Sequence, residues 1–252
     1  MSSSPTIAHA AGPRPDPALG VFETLLVVDG RPLELEPHLE RLDASLRALF
    51  GAPAPPGARE LVLDHARGVE LARLRLTVAA ELTPTVVVTP VDAALVLPGA
   101  ERALELVPLV VPGGIGAHKW ADRRLLAGAE ADVAPGVPLL LDDDGTVLEA
   151  SRGNVFSVRD GVLVTPPADG RILPGVTRRR VLELAAGLGI PAREDAVRLD
   201  AAAEVFVTGA VRGIEPVRGG PVTATLAAEL RRCWALDHDL PRRGGAVHAR
   251  VD

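Results

Sequence analysis

A chain of 252 residues with a formal net charge of −6 can bury one large core or two smaller ones, and it has no long basic run to track a nucleic-acid backbone. Its one cysteine, Cys233, excludes an intrachain disulfide, and no Cys/His cluster has zinc-ligand spacing. Residues 1–20 lack a signal-peptide pattern and no stretch reaches the roughly 18 apolar residues of a membrane span, so the chain reads as a cytoplasmic protein with neither nucleic acid nor membrane as partner.

Residues 1–17 hold four prolines and three consecutive serines, which predicts a disordered tail. Val21 to Val28, the turn Asp29-Gly30 and Arg31 to Leu35 then read as a β-hairpin. Glu36-Pro37 opens a helix with leucines at 39, 42, 46 and 49, which Gly51 stops. A second helix near 57–68 precedes strands over Leu71 to Ala80, Thr85 to Val91 and Val107 to Val111. These elements predict a small N-terminal α/β domain over 18–112, followed by a Gly-rich linker at 113–118.

The remaining chain predicts a larger domain over 119–240. A helix over Asp122 to Glu130 leads into short strands at Val137 to Leu141, Thr146 to Glu149, Asn154 to Val158 and Val162 to Thr165, with Asp-Gly turns at 144 and 160. Such strands pair antiparallel and suggest a barrel-like sheet. A helix from Pro174 to about Leu188, strands at Glu204 to Thr208 and Gly213 to Val217, and a helix over Val222 to Leu236 complete an α+β chain, and 241–252 reads as a frayed tail.

Lys119 is the only lysine among 27 basic residues. Arginine replaces lysine readily on a surface, but only lysine can lose its proton near neutral pH and attack a carbonyl carbon. Lys119 is therefore either a Schiff-base lysine or a chance survivor on a solvated helix face. A Schiff base admits a substrate carbonyl, as in an aldolase, or the aldehyde of pyridoxal phosphate, and the second also needs a phosphate cradle and a partner for the pyridine nitrogen. Pro174-Gly175-Val176-Thr177 supplies a glycine turn into a helix N-terminus, although it equally fits an ordinary helix start. Glu149 precedes the small-residue break Ala150-Ser151-Arg152-Gly153-Asn154 and reads either as the pyridine partner or as a strand-end carboxylate. His38 and Arg41 share one helix turn, as a charged face would. Gly113-Gly114-Ile115-Gly116 lacks the strand, helix and acidic residue of a dinucleotide site.

In order, Gly20 to Thr24, His38 to Leu42, Lys119, Glu149 to Asn154, Leu173 to Arg178 and Glu204 to Val217 resemble the class IV, or fold-type IV, pyridoxal-phosphate enzymes. That family holds branched-chain and D-amino acid aminotransferases and aminodeoxychorismate lyase. The resemblance implies two domains with the site between them, a homodimer, and a small-molecule amino substrate bearing carboxylates. It further implies Lys119 as the cofactor-bound lysine and proton shuttle, Glu149 as the pyridine partner, and Asn154 as a supporting contact. Arg41, Val176, Thr177 and the turn Gly209-Ala210 would hold the phosphate. Three positions depart from the family: Arg124 replaces a tyrosine found five residues after the lysine in branched-chain enzymes, Ala210 replaces a hydroxyl residue, and Trp120 follows the lysine. The first two lean toward a lyase that converts 4-amino-4-deoxychorismate to 4-aminobenzoate and pyruvate. A class IV aminotransferase is the alternative, with a non-catalytic binding protein on the same scaffold behind it.

Overall fold

The computed structural model describes residues 7–199 and 202–236, which form an α+β fold of three sheets and five helices among the described residues. Strands β1 (Ala8–His9), β2 (Val21–Val28) and β3 (Arg31–Pro32) lead into helices α1 (Leu35–Phe50) and α2 (Ala58–Ala66). Then come β4 (Leu71–Val78), β5 (Pro84–Pro90), β6 (Leu106–Val110), α3 (Arg124–Val133), β7 (Val137–Leu141) and β8 (Val147–Ala150). The chain closes with β9 (Asn154–Arg159), β10 (Val162–Thr165), α4 (Val176–Gly187), β11 (Ala192–Glu194), β12 (Glu204–Gly209), β13 (Gly213–Arg218) and α5 (Pro221–Cys233).

The first hairpin forms as expected, with Asp29 and Gly30 both at positive φ in the turn between β2 and β3. An antiparallel sheet of order β3-β2-β4-β5 results. Its central strand β2 is buried on both faces. Val21, Leu25 and Val27 pack with Leu42 and Leu46 of α1, whereas Leu26 and Val28 join Phe156, Phe206 and the inner faces of α4 and α5. Phe156 and Phe206 are paired across β9 and β12 with rings stacked 5.0 Å apart, so β2 is wedged against the centre of the second sheet. That wedge brings the start of β2 beside Lys119.

Three expectations change. The tail predicted over 1–17 is ordered from its seventh residue: Ala8 and His9 pair in parallel with Leu109 and Val110, because the edge of β6 offers unpaired backbone groups. Residues 1–6 and 237–252, including the expected C-terminal tail, lie outside the described residues. Strand β6, expected to close the N-terminal domain, instead joins a sheet of order β1-β6-β7-β8, pairing in parallel with β7. Its local sequence could not reveal that partner, since parallel pairing needs the intervening α3 crossover. Finally β11, only three residues long and fully exposed, extends the sheet β11-β10-β9-β12-β13 in parallel without any hydrophobic pattern. No helix among the described residues is long and apolar enough to cross a membrane.

Candidate active site

Lys119 lies in the segment linking β6 to α3, and β2 holds it in place. The Phe22 N–H donates to the Lys119 carbonyl at 2.8 Å, and the Ala121 N–H donates to the Gly20 carbonyl at 2.9 Å. Its Nζ lies 4.8 Å from the Phe22 ring centroid and makes no hydrogen bond or ion pair among the described residues. Burial, helped by the nearby Arg41 guanidinium, lowers the ammonium pKa from 10.5 to about 8. Lys119 is thus a half-buried amine, without a hydrogen bond or ion pair among the described residues, whose surroundings lower its proton affinity.

Glu149, at the end of β8, lines the same pocket. It accepts from the Asn154 side-chain amide at 3.2 Å and more loosely from the Leu173 N–H, yet burial pushes its carboxyl up to about 8. No full positive charge touches it. Asn154 also donates to the Leu173 carbonyl at 2.9 Å, so it fastens the strand carrying Glu149 to the turn before α4. Two glycines permit this packing. A Cβ on Gly175 would come within 2.0 Å of the Asn154 Oδ1, and one on Gly153 within 2.1 Å of the Thr208 carbonyl.

The N-termini of α4 and α5 are built differently. In α5, the buried Glu204 carboxylate accepts from the backbone N–H groups of Val222 and Thr223 and from the Thr223 hydroxyl. In α4 no side chain among the described residues caps the first turn, so the N–H groups of Val176, Thr177 and Arg178 have no helical acceptor, and the hydroxyl of Thr177, a residue buried overall, has no hydrogen-bond partner among the described residues. An anion fits there by charge and by donor count. Arg41 stands at the rim, donating from Nη1 to the Pro174 carbonyl at 3.1 Å and twice to Glu23.

Glu23 and His38 are supporting residues whose roles sequence reasoning missed. Glu23 occupies the core-facing parity of β2, between Val21 and Leu25, and is 2% exposed. A charge at such a position is the signal that could have flagged it. It bonds His38 Nδ1 at 2.6 Å and Arg41 Nη2 at 2.6 Å. Burial alone would raise its carboxyl, but Arg41 and His38 outweigh that and bring it down to about 2. His118 Nδ1 bonds the Ser45 hydroxyl at 3.1 Å, tying the lysine segment to α1.

The sequence-predicted residues Lys119, Arg41, Glu149, Asn154, Val176, Thr177, Gly209 and Ala210 all line one inner pocket. Past Lys119, Phe22, Gly209 and Ala210 it opens into a cleft of ≈ 490 Å³. Of the cleft arginines, Arg123, Arg152 and Arg212 have carboxylate partners in Glu130 and Glu215. Among the described residues Arg75 lies 3.7 Å over the Phe22 ring without an ion pair, and Arg73 reaches only the Thr89 hydroxyl at 3.4 Å. Arg124, at the position of the missing tyrosine, forms a two-pronged pair with Asp122 and lines neither the pocket nor the cleft.

The α+β fold, with an unpartnered lysine between an uncapped helix N-terminus and a buried carboxyl, defines a pyridoxal-phosphate enzyme of fold type IV. The chain belongs to the class IV amino-transferase family, whose pattern matches residues 20–219. It is 33% identical to a protein from Methanocaldococcus jannaschii named as a branched-chain-amino-acid aminotransferase, over 79% of this chain and 77% of that one. A Thermotoga maritima protein of the same name is 43% identical over 102 residues, a stretch spanning 35% of this chain and only 37% of that relative. Among solved structures, 4-amino-4-deoxychorismate lyase from Pseudomonas aeruginosa is 29% identical with a TM-score of 0.70, covering 84% of this chain and 90% of that one. The PLP-bound form of an aminotransferase from Mycobacterium tuberculosis shares the fold, with a TM-score of 0.75 at 24% identity over 94% and 96% of the two chains.

Proposed function

We propose that this protein is a lyase acting on 4-amino-4-deoxychorismate, with Lys119 as its proton-transfer base. The observation that carries the reading is the Lys119 amine, half-buried and without an ion pair among the described residues, at the mouth of a lined cleft. Bound pyridoxal phosphate supplies an aldehyde for amine exchange and a ring that accepts electron density from the substrate's amine-bearing carbon. The first-turn N–H groups of α4, the Thr177 hydroxyl and Arg41 hold its phosphate, and Glu149 pairs with its ring nitrogen. The buried Glu149 carboxyl gains from a cation in contact, because the Leu173 N–H and the more distant positive charges of Lys119, Arg41 and Arg123 only partly offset its desolvation.

Lys119 Nζ, freed as a neutral amine, takes the proton from the amine-bearing carbon and fixes where it goes. Phe22 walls that amine from the cleft's water on one side. Arg75 and Arg73 carry the charge that meets the substrate carboxylates, since the other cleft arginines are already paired. Loss of the enolpyruvyl group as pyruvate then leaves 4-aminobenzoate, and aromatisation drives the step. The apolar turn at Ala210 and Val211 and the absence of any tyrosine support a lyase over a branched-chain enzyme.

Transamination with the same residues is the second reading, favoured by the names of the sequence relatives. In it Lys119 would move the same proton, and the bound cofactor would supply the carrier for the amino group between the donor amino acid and the acceptor keto acid. Incubating cofactor-loaded protein with 4-amino-4-deoxychorismate and following 4-aminobenzoate fluorescence separates the two. Enzymatic release supports the lyase. A visibly yellow protein that releases none, yet passes an amino group to a keto acid, makes it an aminotransferase. Two domains, a homodimer and a cytoplasmic location complete the proposal, and light scattering on the purified protein tests the dimer.

A further inference from the structure

The segment that delivers Lys119 is unusually free by composition. Pro112-Gly113-Gly114-Ile115-Gly116 holds three glycines, all at positive φ, a region glycine enters at little steric cost and leaves as easily. Backbone of this kind keeps one conformation only when its surroundings hold it. From the interior, the Arg171 carbonyl accepts from the Gly116 N–H at 3.2 Å, and Asp142 accepts from the Gly113 N–H at 2.8 Å.

From outside, the chain's own N-terminal segment does the rest, and it precedes the region that matches the family. After β1 pairs with β6, the Ala10 N–H donates to the Val110 carbonyl at 2.9 Å, and Ala10 packs on the cluster of Leu109, Val111, Leu140, Leu148 and Ile172. Arg14 then donates from both terminal nitrogens, one to the Pro112 carbonyl and one to the Gly114 carbonyl, bracketing Gly113. Two residues on, the Asp16 N–H donates to Asp122 Oδ2 at 3.0 Å, beyond the lysine. The segment is thus fastened on both sides of Lys119.

We propose that Arg14 is a positioning residue for Lys119, clamping the Gly-rich segment so that the amine stays at its half-buried place beside Phe22, between the inner pocket and the cleft. The proposal rests on the reading of Lys119 as the reactive amine. Loosening the clamp lets the segment sample more open conformations in which the amine meets more water and moves back toward its ordinary proton affinity.

Because the chain has a single lysine, an amine reagent reports on this site directly, without cofactor or substrate. The pH dependence of Lys119 modification by trinitrobenzenesulfonate is measured on the cofactor-free full-length protein, with peptide mass spectrometry separating Lys119 from the N-terminal amine. The wild-type midpoint is expected near 8. Arg14→Ala is expected to raise it by about half a unit or more, toward the ordinary lysine value, and removal of residues 1–16 to raise it further. Arg67→Ala, which breaks only an exposed pair with Asp64, serves as the control and leaves it in place. An unchanged midpoint in Arg14→Ala overturns the proposal, whatever happens to thermal stability. A wild-type midpoint near 10.5 instead sinks the reactive-lysine reading on which it rests.

Discussion

Two fully buried glutamates act on Lys119, one from the N-terminal sheet and one from β8, and burial has opposite outcomes at them. Glu23 is held by Arg41 and His38 and stays ionised down to about pH 2. Glu149 has only neutral donors in contact and keeps its proton up to about pH 8. Desolvation is the largest influence on both, so the difference lies in the partner each is given. The N-terminal side of the site is complete within the chain. The C-terminal side has Glu149 without a cation in contact and α4 without a side-chain cap among the described residues, and the proposed cofactor would complete it.

Substitutions test that contrast in order of expected effect. Lys119→Arg keeps a positive charge beside both glutamates but removes the nucleophile and base. Turnover should fall by about 10²–10⁴-fold or more, and the yellow colour given by added pyridoxal phosphate should vanish. Turnover near wild type in that variant refutes the mechanism. Glu23→Gln strips Arg41 and His38 of their buried anion and should destabilise the fold by about 3 kcal/mol, read by denaturant unfolding with and without cofactor. If it instead leaves stability intact and weakens only cofactor binding, the self-sufficiency of that side is wrong.

Glu149→Gln should do the reverse, sparing the apo fold and weakening cofactor affinity by about 1.5–3 kcal/mol. Thr177→Val should weaken it by roughly 1–2 kcal/mol, the loss of one hydrogen bond to a charged group. An unchanged dissociation constant there would move the phosphate elsewhere. The smallest effect is in pH dependence. The raised Glu149 pKa means the folded apo protein binds the extra proton between about pH 4.5 and 8, so Glu149 lowers stability as pH rises through that window. Glu149→Gln should flatten that slope. Glu23, with its pKa lowered, instead supports the fold above about pH 4.5 and withdraws that support as pH falls toward 2.

Local patterns carried the site a long way. The single lysine, the glycine turn into α4 and the strand-end glutamate are short-range signals, the family resemblance added Arg41, Asn154, Gly209 and Ala210, and all eight residues line one pocket. Their supports were hidden because they act across the fold. Glu23 looks like a strand residue until its core-facing parity is set by packing on α1, and His38 looks like a helix-face charge until β2 lies against it. Arg14 sits in a stretch whose composition argues for disorder, and its backbone acceptors lie nearly a hundred positions away.

From the sequence alone came the α+β class and the order of most strands and helices, because these depend on neighbouring side chains and turn conformations, and the resemblance to a known family supplied the candidate site residues. Tertiary structure alone decided that β6 pairs with β7, that the N-terminal segment is fastened to the lysine segment, and that one buried glutamate is ionised while the other holds its proton. Strand partners and the protonation of a buried carboxyl depend on which distant groups come within a few ångströms, and that distance exists only once the chain has folded.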